Sequence, residues 1–169
     1  AAILVNTVYG DFRSYSGLAI VFATMIYGVQ IYCDFYGYSS MATGAAEMLG
    51  IQLPINFDTP YLSTSIKEFW RRWHISLSSW LRDYVYFPLG GSRCSVQRRY
   101  LNVFVTFFVS GIWHGSKWSF IAWGLLHGLY QVVGDLLKPV REKLCTSLQI
   151  RTDTAAFKAF KVLVTFGLA

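Results

Sequence analysis

Residues 17–33 read GLAIVFATMIYGVQIYC, a run in which Gln30 is the one strongly polar side chain. As a helix this run extends about 25 Å, most of the roughly 30 Å of hydrocarbon in a bilayer. A soluble domain of 169 residues has room for a sizeable core, but it does not normally concentrate so many apolar positions in one unbroken run. The chain is 54% hydrophobic, 18% aromatic and 14% charged, against about 25% charged residues in ordinary soluble domains. These numbers describe a membrane protein.

The chain opens on AAILV without a methionine and stops inside a second apolar run, AFKAFKVLVTFGLA (residues 156–169). It reads as one membrane-embedded domain over 1–169, cut at both ends, with no basic n-region or cleavage site of a signal peptide. Its net charge of +6 is not that of a nucleic-acid binder, because the basic residues sit beside apolar runs and form no separate basic face. Cytoplasmic juxtamembrane loops account for them better. The three cysteines, Cys33, Cys94 and Cys145, are far apart and show neither a disulfide framework nor metal-ligand spacing.

Outward from the first run, residues 1–9 read as the end of a helix, YGDFRSYSG (9–17) as a loop, and Ser16 as the cap of the span. DFYGYSSMATGAAEMLG (34–50) has the small residues of close helix packing and predicts a short buried helix after a break near Gly37. IQLPINFDTPYLSTS (51–65) is an irregular connection. Ser65 and Glu68 have capping-box spacing and predict a helix starting at about Ile66.

Laid on a wheel at about 100° per residue, positions 66–84 gather Ile66, Phe69, Trp70, Trp73, Leu77, Trp80, Leu81 and Tyr84 in an arc of about 120°. The pattern predicts a continuous amphipathic helix at the membrane interface, with His74 on the border of its two faces. Arg71 and Arg82 fall about 20° apart on that wheel and form a basic stripe suited to lipid phosphates or an anionic acyl donor. Next, VYFPLGGSRCSVQRR (85–99) is a basic loop, placed on the cytoplasmic side by its arginines. The apolar run 100–137 would reach about 57 Å as one helix and must bend, tilt strongly or turn back, and Gly111–Lys117 is the place the sequence points to. The expected fold is all-α, a polytopic helical bundle in the membrane with one interfacial helix.

SGIWHGSKW (110–118) sets His114 between two glycines inside this apolar run. An ionisable group in a membrane segment normally faces a bundle interior or a wet cavity, so His114 is a functional candidate, with a packing histidine as the competing reading. His127 has a stronger case for a structural role, since it lies about 220° from His114 on a continuous helix. No HxxxH, HExxH or GxSxG spacing occurs, which leaves no metal site and no serine nucleophile. General-base chemistry remains: a neutral imidazole taking a proton from a hydroxyl that attacks an acyl carbonyl.

IYCDFYGYSSMATGAAEMLGI (31–51), FWRRWHISLSSWLRDYVYFPLGG (69–91) and GIWHGSKWSFIAWGLLHG (111–128) resemble, in order, successive motifs of the membrane-bound O-acyltransferase family. The branch they most resemble contains the alginate O-acetylation proteins and the bacterial polysaccharide or peptidoglycan O-acetyltransferases. The resemblance implies a multi-helix fold with its active site in a tunnel through the bilayer. By that resemblance His114, in WHG, is the catalytic histidine and His74, in RWH, the second functional position. It also implies transfer of an acetyl group to an extracytoplasmic polysaccharide in a multi-pass protein of the cell membrane. Its cofactor would be no permanently bound group but a donor, acetyl-CoA or an acylated carrier, and its partners the bilayer, the acceptor and accessory acetylation proteins. D-alanyl transfer to teichoic acid, a proton-coupled transporter segment and a purely structural subunit stand as alternatives.

Overall fold

The computed structural model describes residues 1–169 as seven α-helices without strands. The chain forms two compact units, Ala1–Asn56 and Phe57–Ala169.

In the first unit, α1 (Ala2–Gly10) packs on α2 (Gly17–Met48), burying Val5, Val8 and Ala23. The Tyr9 hydroxyl and Thr24 Oγ1 share a 2.8 Å hydrogen bond beside the edge-to-face rings of Tyr9 and Tyr27. Ser16 caps α2 as expected, its Oγ accepting from the Ala19 amide. The expected break near Gly37 does not occur. Glycine costs a helix interior only about 1 kcal/mol relative to alanine, and in an apolar segment every backbone hydrogen bond given up costs more than that. α2 therefore continues to Met48, about 48 Å along its axis, and turns at Gly50 with φ of 75°.

The second unit begins with an aromatic knot. Phe57, Tyr61 and Phe69 surround Trp73, with ring centroids 5.0, 6.0 and 5.5 Å away. Tyr61 also meets Phe166 of α7 (Ala155–Leu168) at 4.9 Å. Ser65 caps α3 (Ile66–Arg72), accepting from the Glu68 amide. The other half of the capping box shifts by one residue: the Glu68 carboxylate accepts from the amide and hydroxyl of Thr64 and pairs with Arg72 at 2.8 Å.

The continuous helix expected over 66–84 is instead broken into three pieces. α3 stops at Arg72, His74 takes a left-handed conformation (φ 44°, ψ 56°), and α4 runs Ile75–Leu81 into a π-helical turn, Arg82–Tyr86. The wheel missed this because all the bulky residues of its arc cannot pack on one partner. Trp73 and Phe69 belong to the Phe57–Tyr61 knot, while Trp70 turns to Phe107, Trp123 and His127.

α5 (Val96–His114) and α6 (Trp118–Ser147) form the antiparallel hairpin expected for the run 100–137, turning at Gly115–Lys117. Asn102, 1% exposed, ties the preceding loop to α5, its Nδ2 donating to the Gly91 carbonyl at 3.2 Å. α2 and α6 are each long and apolar enough to cross a membrane.

Candidate active site

His114 is the last residue of α5, and the glycines around it explain how the hairpin closes there. A side chain on Gly115, whose φ is 154°, would run into the Phe120 ring at 2.8 Å, and one on Gly111 would meet the Phe120 carbonyl oxygen at 2.6 Å. Only hydrogen at both positions lets the first turn of α6 press against the end of α5. The half-buried His114 ring consequently sits among Trp113, Phe120 and Trp123, with centroids 5.1, 6.3 and 4.9 Å away.

His74 approaches from the α3–α4 break. Its ring lies edge-to-face with Trp113 at 5.9 Å. Burial first, and then the charge of nearby His114, pushes the His74 pKa below its usual 6.5. The structure thus brings together the two histidines expected from the sequence, forty positions apart, although the helix meant to present one of them is not continuous.

His127 joins the same cluster. It is 2% exposed, enclosed by the rings of Trp70 (5.1 Å), Trp123 (4.9 Å), Tyr130 (5.8 Å) and Phe107 (6.5 Å). Because α5 and α6 are separate helices, His114 and His127 both reach the Trp123 ring despite their wheel separation.

A cavity of about 560 Å³ lies between α3, α4, the π-helical turn, α5 and α6, and neither His74 nor His114 is among the residues that line it. It begins at Ile75, next to His74, and at Ser110, one turn before His114. Trp70, Leu77, Leu81, Val103, Phe107 and Val132 give it apolar walls. Arg71 and Arg82 both border it, although the continuous helix that would align them as a stripe is broken between them, and Lys67 and Arg99 line it as well. Arg82 is engaged by Asp83 through hydrogen bonds of 2.8 and 3.2 Å. Asp135 of α6 is the one carboxylate along the wall. Arg99 and Asp135 lie far from residues 66–84 in sequence, and only the hairpin register places them here.

The membrane-bound O-acyltransferase family profile matches residues 7–168. A probable alginate O-acetylase AlgI from Azotobacter vinelandii is 49% identical over 114 residues, 68% of this chain and 23% of the relative. A peptidoglycan O-acetyltransferase from Helicobacter pylori is 49% identical over 106 residues, 63% of this chain and 20% of the relative. A teichoic acid D-alanyltransferase from Streptococcus thermophilus is 40% identical over 117 residues, 65% of this chain and 28% of the relative. The matched segment thus spans about a quarter of the length of these relatives. Since the profile runs through α2, the paired histidines and the α5–α6 hairpin alike, the chain belongs to the membrane-bound O-acyltransferase family.

Proposed function

We propose that this chain is the histidine-bearing part of a multi-pass cell-membrane enzyme that moves an acetyl group to a hydroxyl of an extracytoplasmic polysaccharide. The observation that carries the reading is that His74 and His114 both meet the Trp113 ring, while Ile75 and Ser110, close to them in the chain, line a cavity with apolar walls and basic flanks. In the proposed reaction a His114 ring nitrogen takes the proton of the acceptor hydroxyl as its oxygen attacks the acyl carbonyl. The carbon–sulfur or carbon–oxygen bond to the donor then breaks, and the imidazolium returns the proton to the leaving group. His74 orients the substrate across from His114.

The donor is acetyl-CoA or an acylated carrier, taken up for each turnover, with no cofactor permanently bound. Arg71 and Arg82 attract its anionic part from the cytoplasmic side, where the basic loop 85–99 lies, and accessory acetylation proteins complete the pathway to the polymer. The broken segment α3–α4 lies at the membrane interface, its tryptophans at headgroup depth. Acetyl is favoured over D-alanyl because the alginate and peptidoglycan relatives are 49% identical and the teichoic acid relative 40%.

Acetyl transfer measured in membranes with matched amounts of full-length wild-type and His114→Ala protein tests the proposal. The expected loss is a factor on the order of 10² to 10⁴, the usual contribution of a positioned base. Near-normal transfer by His114→Ala would overturn the assignment and leave His114 a packing residue.

A further inference from the structure

We propose that Trp123, held by His127, is a positioning residue that fixes the imidazole of His114 in the orientation from which it takes the acceptor's proton. The inference rests on His114 acting as the base. The backbone around His114 does little to restrain it, since it ends its helix, is half-buried and is followed by a glycine with no side chain, so its orientation rests on the rings of Trp113, Phe120 and Trp123. Of the three rings around it, the Trp123 indole is the nearest, 4.9 Å away and nearly perpendicular at 81°. An edge-to-face pair has a preferred geometry, so a fixed indole restricts how the imidazole turns about its side-chain bonds.

Trp123 is fixed from the other side. The His127 ring meets it at 4.9 Å and 64°, and Trp70 at 5.6 Å and 74°. His127 has almost no freedom of its own, since it is enclosed by four rings on a stretch of α6 where Gly124 and Gly128 bring α5 into direct contact. Its Nδ1 has no hydrogen-bond partner inside this box. On that side the ring contributes its faces and edges, which makes it a wedge behind Trp123. The indole is thereby gripped between two imidazoles, one buried and immobile, the other at the reacting centre.

The test compares Trp123→Leu, Trp123→Phe, His127→Ala, His127→Phe and His114→Ala in the full-length protein, with rates expressed per folded molecule. Trp123→Leu should lower kcat on the order of 10-fold to 10²-fold, the effect of a misoriented group, with donor KM changed less than about 2-fold. Trp123→Phe should recover most of the loss, and His127→Phe should exceed His127→Ala in kcat for the same reason. A Trp123→Leu enzyme with wild-type kcat beside an inactive His114→Ala would overturn the positioning role alone. An active His114→Ala would remove the base and the positioning role with it.

Discussion

Gly111 and Gly124 meet back to back where α5 crosses α6: a side chain on Gly124 would lie 3.2 Å from both the Cα and the N of Gly111, and directly on the Phe107 carbonyl oxygen. The neighbours of Gly124 are backbone atoms that have no rotamer through which to yield. Gly124→Ala should therefore destabilise the hairpin by about 1–3 kcal/mol, the range for overpacking. Gly134→Ala on the same helix meets nothing within 4 Å and should be neutral or stabilise by up to about 1 kcal/mol. Thermal unfolding of the two variants in detergent reads the contrast.

Asn102→Ala should release the loop that precedes α5. The buried Nδ2 hydrogen bond to the Gly91 carbonyl has no substitute nearby except the Cys94 Sγ, which already donates to the same carbonyl at 3.3 Å. Loss of a buried polar contact costs about 1–3 kcal/mol. Limited digestion with trypsin should then cut faster at Arg93 in the variant than in the wild type, while an unchanged cleavage rate would show the loop to be held elsewhere.

Acidification should weaken the protein through His74. Its folded pKa lies below 6.5, because burial and the charge of His114 both oppose protonation. Above 6.5 the ring is neutral in the folded and unfolded chain alike and adds no pH dependence. As the pH falls through 6.5 the unfolded chain takes up a proton that the folded one refuses, and stability declines until the folded pKa is passed. Melting temperature should drop between about pH 7 and pH 5, and His74→Asn should flatten that slope.

Neutralising the cations along the cavity should act on donor binding more than on turnover. Lys67→Gln and Arg71→Gln should each raise donor KM about 3-fold to 10-fold at low salt, and less at high salt, because exposed charges are screened. Arg82→Gln should have the smallest effect, as that guanidinium is already engaged by Asp83. A salt-independent KM across the series would assign the cations to a solvated face.

The features readable from sequence were those set by local chemistry. The apolar runs, the Ser16 and Ser65 caps and a turn within Gly111–Lys117 follow from side-chain type at short range, and the structure contains each of them, with the turn narrowed to Gly115–Lys117 because α5 continues through His114. The His74–His114 pairing was legible through family resemblance, not through spacing. What was not legible came from competition among partners. Trp70 and Trp73 share one apolar arc on a wheel, but α6 takes one and the Phe57–Tyr61 knot takes the other, which no single-helix pattern encodes. Gly37 shows the converse: a residue that often marks a break was absorbed by α2, which keeps its backbone bonded along an apolar length.

The left-handed backbone of His74 bears on how any mutational scan of this protein is interpreted. At φ 44° and ψ 56° the main chain occupies a region that asparagine and glycine tolerate and that alanine or a branched side chain enters at a penalty of roughly 1–2 kcal/mol. Most substitutions at this position will therefore lose activity for two reasons at once, a missing imidazole and a turn that no longer holds α4 at the cavity wall. Ranked by side-chain similarity, the results would look erratic. Ranked by willingness to adopt the turn, asparagine becomes the replacement that isolates the chemistry of the ring, and alanine the one that confounds it.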